Sequence, residues 1–293
     1  QEAARLMSAR HQLQLKLAPW ALLSVSAAWG FAFVVMKDAI ERQTVNNFLF
    51  SRFTLAVIVM ILIRPQCIKF FNKDLLQRGS MAGLFLGSGY ILQTLGLERT
   101  GAAITGFITG LYVVFTPLIA AVVLKARITK LTWGCVALAT VGLALLSLNG
   151  WSIGFGELLV LGSAFGFGAH IIALGKWSNG RDAYTMTVVQ LTVCALLAGI
   201  ASIFEGGYTL PPDSGVWATI IFTAVVCTAV AFVIQTWSQA HMSTTKVAVI
   251  LTMEVVFAAI FAIAFGGETL TLQKALGGVL VVIAMFVIVI KES

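Results

Sequence analysis

Charge is what this chain has least of. Of its 293 residues, 11% are charged and 59% are hydrophobic, whereas about a quarter of a soluble globular protein is charged. The imbalance excludes an ordinary water-soluble domain and reads as an all-α integral membrane protein. Other absences narrow the chemistry. The cysteines Cys67, Cys135, Cys194 and Cys227 form no CxxC pair; three fall in apolar runs and one in a basic loop, so neither a zinc site nor a disulfide framework is supported. No Gly-rich phosphate loop, nucleophile elbow or metal-spaced cluster appears, and no metal or cofactor is expected. The net charge of +7 sits in short gaps between apolar runs, with no basic stripe interleaved with exposed aromatics, which argues against nucleic acid as a partner. The first apolar run, Pro19 to Met36, is long enough to span and lacks the small-residue exit of a cleavable signal. Residues 1–18 read as a polar, basic cytoplasmic segment in which Met7 is a candidate start.

What is present is a series of apolar stretches, each of spanning length. Ten can be read, at 19–36, 46–63, 79–97, 102–124, 131–149, 155–175, 184–203, 215–238, 244–265 and 272–290. The early gaps carry charge, and later ones are marked by turn residues such as Asn149-Gly150 and Pro211-Pro212-Asp213. Lys and Arg crowd one side: Arg5, Arg10, Lys16, Arg64, Lys69, Lys73, Arg78, Lys125, Arg127, Lys130, Lys176, Arg181, Lys246 and Lys291. The other side holds Lys37, Arg42, Arg99 and Lys274. By the positive-inside rule both termini are expected in the cytoplasm, in a multi-pass cell-membrane protein.

The second half echoes the first. At a shift of 142 residues, Leu111-Tyr112-Val113-Val114-Phe115 falls on Met253-Glu254-Val255-Val256-Phe257, Gln93-Thr94 on Gln235-Thr236, and Thr129 on Thr271. At a shift of 136, Ala28-Trp29-Gly30-Phe31 falls on Ala164-Phe165-Gly166-Phe167. Each half, 19–149 and 150–293, holds five spans. Five is odd, so the halves enter the bilayer from opposite faces as two inverted five-helix repeats, an arrangement that places binding sites near the midplane between them.

The sequence here resembles the EamA-type branch of the drug/metabolite transporter superfamily. The likeness is carried by Ala28-Trp29-Gly30-Phe31, Gln93-Thr94-Leu95-Gly96-Leu97, Gly106-Phe107-Ile108-Thr109-Gly110-Leu111-Tyr112, Leu251-Thr252-Met253-Glu254-Val255-Val256-Phe257-Ala258-Ala259 and the turn Gly267-Glu268-Thr269-Leu270-Thr271. Two departures stand out. Val255 occupies a position where the family often has proline, so the ninth helix is expected to run straighter than in relatives, and Ala126 stands where the matching turn of the first half would carry Glu.

Glu254 lies about ten residues from either end of its span, roughly 15 Å deep at about 1.5 Å per residue. An acid at that depth is costly and marks a functional site by default, against the plainer reading of a protonated helix–helix bond. It can alternate between neutral and charged states, which suits proton coupling or contact with a substrate amine. The repeat sets Tyr112 at the same depth. A substrate cavity lined by Trp29, Phe33, Arg52, Tyr90, Gln93, Thr109, Tyr112, Phe165, His170, Gln190, Gln235, Trp237 and Glu254 is expected. For each there is a structural alternative: snorkelling for Arg52, interhelical bonding for the glutamines, Thr105, Thr109 and His170, packing for the aromatics. Lys37 reads as an interfacial anchor, Trp20, Trp151 and Trp217 as belt residues. Gly79, Gly83 and Gly87, and Gly106 with Gly110, read as small-residue faces for close helix approach.

The resemblance implies a secondary active transporter of small organic metabolites, amino-acid-like or amphipathic, exporting by alternating access in the lipid bilayer. A nucleotide-sugar or phosphorylated-metabolite exchanger is the alternative, and it requires several cavity-facing cations where only Arg52 qualifies. A membrane-embedded enzyme requires clustered acids, histidines or Ser/Lys arrangements, and the intramembrane ionisable residues here are dispersed.

Overall fold

The computed structural model describes residues 2–97, 99, 102–148, 154–265, 267 and 269–291, and the regular structure there is helical. The helices are α1 Glu2–Arg42, α2 Val45–Ile63, α3 Lys73–Leu97, α4 Ala102–Gly110, α5 Tyr112–Val123, α6 Lys130–Ser147, α7 Phe155–Trp177, α8 Ala183–Phe204, α9 Ser214–Ala224, α10 Ala231–Gln239, α11 Thr244–Leu251, α12 Met253–Phe265 and α13 Leu272–Lys291. A 3-10 turn, Pro65–Phe70, follows α2, and a π-helical turn, Val225–Val230, joins α9 to α10. Ten passes result, with α4–α5, α9–α10 and α11–α12 each forming one. Eight are long and apolar enough to cross a membrane, and Lys130–Leu146 is a shorter apolar helix. The remaining pass, α3, is diluted by Gly79, Gly83, Gly87, Gly89 and Gly96. Expectations placed on the side chains of Met7, Phe33 and Lys37, and on Asn149-Gly150, Trp151 and Glu268, lie outside the described residues.

Side-chain caps set several of the helix starts. Thr129, Asp182, Asp213 and Ser243 accept from amides two or three residues ahead, satisfying donors that the helix itself leaves open. Asp182 does most. Its Oδ2 takes the Thr185 amide at 2.9 Å and hydroxyl at 2.6 Å, and Arg64 Nη1 donates to both oxygens at 3.0–3.1 Å. Burial opposes ionisation of Asp182, but the Thr185 and Arg64 bonds outweigh it and hold the carboxyl below the usual range. The stability it adds is therefore present above about pH 4 and is lost as pH falls through its lowered folded pKa. Asp182→Ala is expected to cost about 1–2 kcal/mol at pH 7. Thermal unfolding in detergent should show the two proteins converging towards pH 3.

Packing is arranged with two-fold symmetry. The heaviest pairings are α3 with α7 and α8, α6 with α13, α2 with α8, and α1 with α12. Exchanging first-half helices for their second-half mates maps α6–α13 and α2–α8 onto themselves. It maps α3–α7 and α3–α8 onto the packing of α9–α10 against α1 and α2, and α1–α12 onto α7–α5, all of which are present. Gly79, Gly83 and Gly87 lie on α8, where added Cβ atoms would stand 2.9 Å from Val189, 2.8 Å from the Gln190 carbonyl and 2.6 Å from Leu197. The small-residue face read from the sequence is that contact.

Four expectations are corrected. First, α1 begins at Glu2, not Pro19, and runs through the proline: residues 2–18 extend the first helix. Second, the ninth pass is broken at Thr252 even without proline. The Thr252 hydroxyl donates back to the Val249 carbonyl at 2.6 Å, the Thr252 amide is shared between the Ala248 and Val249 carbonyls, and the Val255 amide closes a tight turn on the Thr252 carbonyl. Such back-bonding competes with the α ladder. The fourth pass breaks one residue from the matching place, at Leu111, where the Leu111 and Val114 amides reach back three residues. Third, Gly106 is not a packing position: a Cβ there would meet nothing within 4 Å, whereas one on Gly110 would lie 2.8 Å from Leu143.

The fourth concerns register. A Cβ on Gly30 would lie 2.6 Å from Phe257 Cβ and 2.7 Å from the Ala258 nitrogen; one on Gly168 would lie 3.1 Å from Phe115 Cβ and 3.3 Å from the Thr116 nitrogen. Gly30 and Gly168 are thus mates, 138 residues apart, as are the N-caps Thr44 and Asp182. The shift of 136 is wrong by two residues. The shift of 142 holds for the later passes, where Thr129 and Thr271 each open a helix.

Candidate functional site

A cavity of about 120 Å³ lies where passes one, two, three, four, six, eight and nine meet. Trp29, Ala32 and Met36 enter it from α1, Arg52 from α2, and Leu86, Tyr90 and Gln93 from α3. Thr109 and Tyr112 come from the two sides of the fourth-pass break, Leu251 and Glu254 from the two sides of the ninth-pass break. Phe167, His170 and Ile171 from α7, and Phe232 and Gln235 from α10, complete the wall. The breaks give both Tyr112 and Glu254 positions at the start of a new helical segment, aimed into the space between halves.

The repeat explains the wall. With the corrected register, Trp29 pairs with Phe167, Ala32 with His170 and Arg52 with Gln190. At 142 residues Tyr90 pairs with Phe232, Gln93 with Gln235, Thr109 with Leu251 and Tyr112 with Glu254. Aromatic mates form the walls: Trp29 meets Phe232 with ring centroids 5.3 Å apart, and Tyr90 meets Phe53 at 5.3 Å and Phe167 at 5.4 Å, the latter two edge to face. Polar mates differ, and the differences make the site asymmetric.

Arg52 is 3% exposed. Its Nε donates to Thr228 Oγ1 at 2.6 Å, Nη2 to the Cys227 carbonyl at 3.3 Å, and Nη1 approaches Met36 Sδ at 3.7 Å. Trp29 Nε1 donates to the same Cys227 carbonyl at 2.7 Å. The guanidinium carbon also stands 5.9 Å and 6.0 Å from the ring centroids of Phe53 and Tyr90. Among the described residues no carboxylate pairs with Arg52, and none of the described ion pairs or hydrogen bonds engages the Glu254 side chain. A guanidinium and a carboxyl group therefore line one cavity with no ion pair between them among the described residues.

On the side towards the chain termini the cavity is floored by a buried polar network. His170 Nε2 meets Gln190 Oε1 at 2.8 Å, Gln190 Nε2 donates to Thr236, and Thr187 bonds Thr236. Gln235 donates to Gln239, whose own amide reaches the Ile171 carbonyl at 2.6 Å. Gln235 Oε1 is left without a partner among the described residues. Beneath this floor α11 is buried from Thr245 to Leu251 and packs on α1, α5 and α6 of the first half as well as α7 and α13. Its mate α4, on the opposite face, packs on α3, α6 and α7. Both ends are tied across the two halves: the end bearing the termini by α11, and the far end by Gln43 donating to the Thr209 carbonyl at 3.0 Å, Asn47 to the Thr209 hydroxyl at 2.9 Å, and Ser51 meeting the Tyr208 hydroxyl at 2.8 Å.

Of the residues named from the sequence, Trp29, Arg52, Tyr90, Gln93, Thr109, Tyr112, His170, Gln235 and Glu254 come together in the cavity. Gln190 stands behind it as the partner of His170. Phe165 does not line it: the side chain is 52% exposed and rests edge to face on Phe115, a consequence of the two-residue error in register. Trp237 does not line it; its ring meets that of His241 in a tilted contact, centroids 4.9 Å apart. The side chain of Phe33 lies outside the described residues. Phe167 and Phe232 were missed, although the Trp29–Gly30 and Phe167–Gly168 dipeptides carried the signal for the first and the 142-residue match of Tyr90 that for the second.

Comparison with known proteins places this geometry. The model of the EamA-like transporter family matches residues 16–148 and again 154–290. An uncharacterized transporter of Archaeoglobus fulgidus is 31% identical over 271 residues, covering 92% of this chain and 85% of that protein. A second from the same organism is 22% identical over 281 residues, covering 90% and 94%. A solved crystal structure aligns with a TM-score of 0.73 at 14% identity, over 93% of this chain and 95% of that one, a likeness of fold alone.

Proposed function

The chain belongs to the EamA-like transporter family, and from that premise we propose a secondary transporter that exports small zwitterionic, amino-acid-like metabolites by alternating access. One observation carries the reading: Arg52 and Glu254 line the same cavity, opposite in charge and not in contact. Unpaired charges out of bulk water are costly, and a ligand that supplies both counter-charges removes the cost at both ends. In this reading Arg52 takes the carboxylate, while Glu254 and the free Gln235 oxygen take the ammonium. The rings of Trp29, Tyr90, Tyr112, Phe167 and Phe232 hold the apolar remainder.

Size and charge favour this cargo over others in the superfamily. The volume of about 120 Å³ falls below the about 300–1,000 Å³ of sites for drug-sized ligands. Arg52 is the only Lys or Arg among the described lining residues, too few for a polyanionic nucleotide sugar. Coupling to protons follows from Glu254, whose carboxylate is free to exchange a proton when no ammonium holds it. The chain then sits in the cell membrane with its Lys- and Arg-rich face, and both termini, in the cytoplasm. In this reading the α11 end is the cytoplasmic gate and the α4 end the outer one.

The test is counterflow into proteoliposomes loaded with single amino acids, with their decarboxylated amines and deaminated acids as separate cargoes. The expected result is uptake of at least one amino acid in excess of its amine and its acid. Equal uptake of an amine or an acid alone, or movement of nucleotide sugars instead, overturns the zwitterion assignment.

A further inference from the structure

The π-helical turn Val225–Val230 has no counterpart in the first half: α3, the mate of the eighth pass, runs as an unbroken α-helix from Lys73 to Leu97. The turn carries an i−5 bond, Ala231 amide to Val226 carbonyl. Single π turns in α-helices recur at functional sites, because the extra residue redirects main-chain and side-chain groups. Here the redirected groups are specific. The Cys227 carbonyl receives both Trp29 Nε1 and Arg52 Nη2, and the Thr228 hydroxyl, on a residue with no exposed surface, receives Arg52 Nε. Leu86, the mate of Thr228 at 142 residues, is apolar.

The arrangement solvates a cation without cancelling it. A guanidinium has five N–H donors in one plane. One goes to Thr228, one to Cys227 and one towards the Met36 thioether, none to an acid, and the rest stay on a side chain that lines the cavity. Fixing Nε and one side of the fork leaves a planar pair of donors in a single orientation, which is what bidentate carboxylate recognition requires. We infer that the π turn builds a carboxylate subsite, in which Arg52 is the binding group and Thr228, with the Cys227 carbonyl, is its positioning element. The inference rests on the transport reading and deepens it by assigning how the acidic end of the cargo is selected. Thr228 does not touch the ligand; it acts through Arg52.

The test uses three probes with one phenyl side chain, suited to the aromatic walls: phenylalanine, 3-phenylpropionate and phenethylamine. Binding is read as thermal stabilisation of detergent-purified protein on titration, since a ligand of the folded state raises the melting temperature. Wild type is expected to bind 3-phenylpropionate and phenylalanine. Thr228→Val, which keeps the shape and removes the hydroxyl, is expected to weaken both about tenfold while leaving phenethylamine unchanged, and Thr228→Ser to restore them. A purely structural role would move all three probes together and would lower the melting temperature of the unliganded variant, so equal weakening of the three, or no weakening at all, overturns the positioning role. Binding of 3-phenylpropionate that depends on Thr228, without binding of phenylalanine, keeps the subsite and removes the zwitterion reading. Binding of phenethylamine alone, or of none of the three, removes the subsite.

Discussion

Glu254→Gln is expected to melt at a higher temperature than the native chain and yet to transport poorly. The substitution keeps the size and one acceptor oxygen of the side chain, replaces the other oxygen by an NH2 donor, and removes its ability to carry charge. In the empty protein nothing among the described residues pairs with that carboxylate, so neutralising it is expected to relieve about 1–2 kcal/mol. With a cationic cargo bound, the lost charge-assisted bond is expected to weaken apparent affinity by about 10- to 100-fold, the equivalent of about 1.5–3 kcal/mol. The pH dependence of counterflow is expected to vanish with it. Stability and transport falling together in this variant, or undiminished transport with an unchanged pH profile, would show the acid to be a helix–helix fixture instead. Activity purchased at the expense of stability is a common signature of a binding site.

Arg52→Gln has the second large expected effect, and Arg52→Lys the more informative one. Arg52→Gln removes the only Lys or Arg among the described residues of the cavity wall and is expected to reduce counterflow of carboxylate-bearing cargo at least about 100-fold, as loss of a charge-assisted bidentate contact does. Lysine keeps the charge but offers one point donor on a flexible stem. It cannot reach Thr228 Oγ1, the Cys227 carbonyl and a ligand in one plane. Arg52→Lys is therefore expected to recover less than a tenth of the native rate. Full recovery would mean that charge alone matters and that the orientation imposed by the π turn does not. Uptake of the decarboxylated amine serves as the internal control, since its loss in the same variants would point to a collapsed cavity.

The fold was legible because membrane physics simplifies it. A bilayer demands apolar runs of nearly fixed length, so the ends of α2, α7, α8 and α13 fall within two residues of where hydropathy put them. Odd helix number in two similar halves then dictated inversion. The breaks inside passes were harder to read. Thr252 interrupts a helix through a hydroxyl that also bonds happily to the preceding turn in unbroken helices, and Leu111 has no breaking chemistry of its own. The site followed the same division. Glu254, Arg52 and His170 stood out because ionisable groups in apolar runs are rare, and Gln93 with Gln235 because they repeat. The match of Ala28-Trp29-Gly30-Phe31 with Ala164-Phe165-Gly166-Phe167 points to Phe165, and only three-dimensional contact shows that Gly168, not Gly166, takes the place of Gly30 against the opposing helix. The π turn left no trace in the sequence that a run of small and β-branched residues could reveal.

The interruption at Thr252 differs in kind from the one a proline would make. A prolyl ring deletes a donor for good and blocks the carbonyl one turn back. At Thr252 and Val255 every amide is still present, and only the choice of acceptor has changed. The Val249 carbonyl takes both the Thr252 hydroxyl and the Thr252 amide, so the interruption rests on a redistribution of acceptors and not on a missing donor. The elbow beside Glu254 keeps its full set of backbone donors.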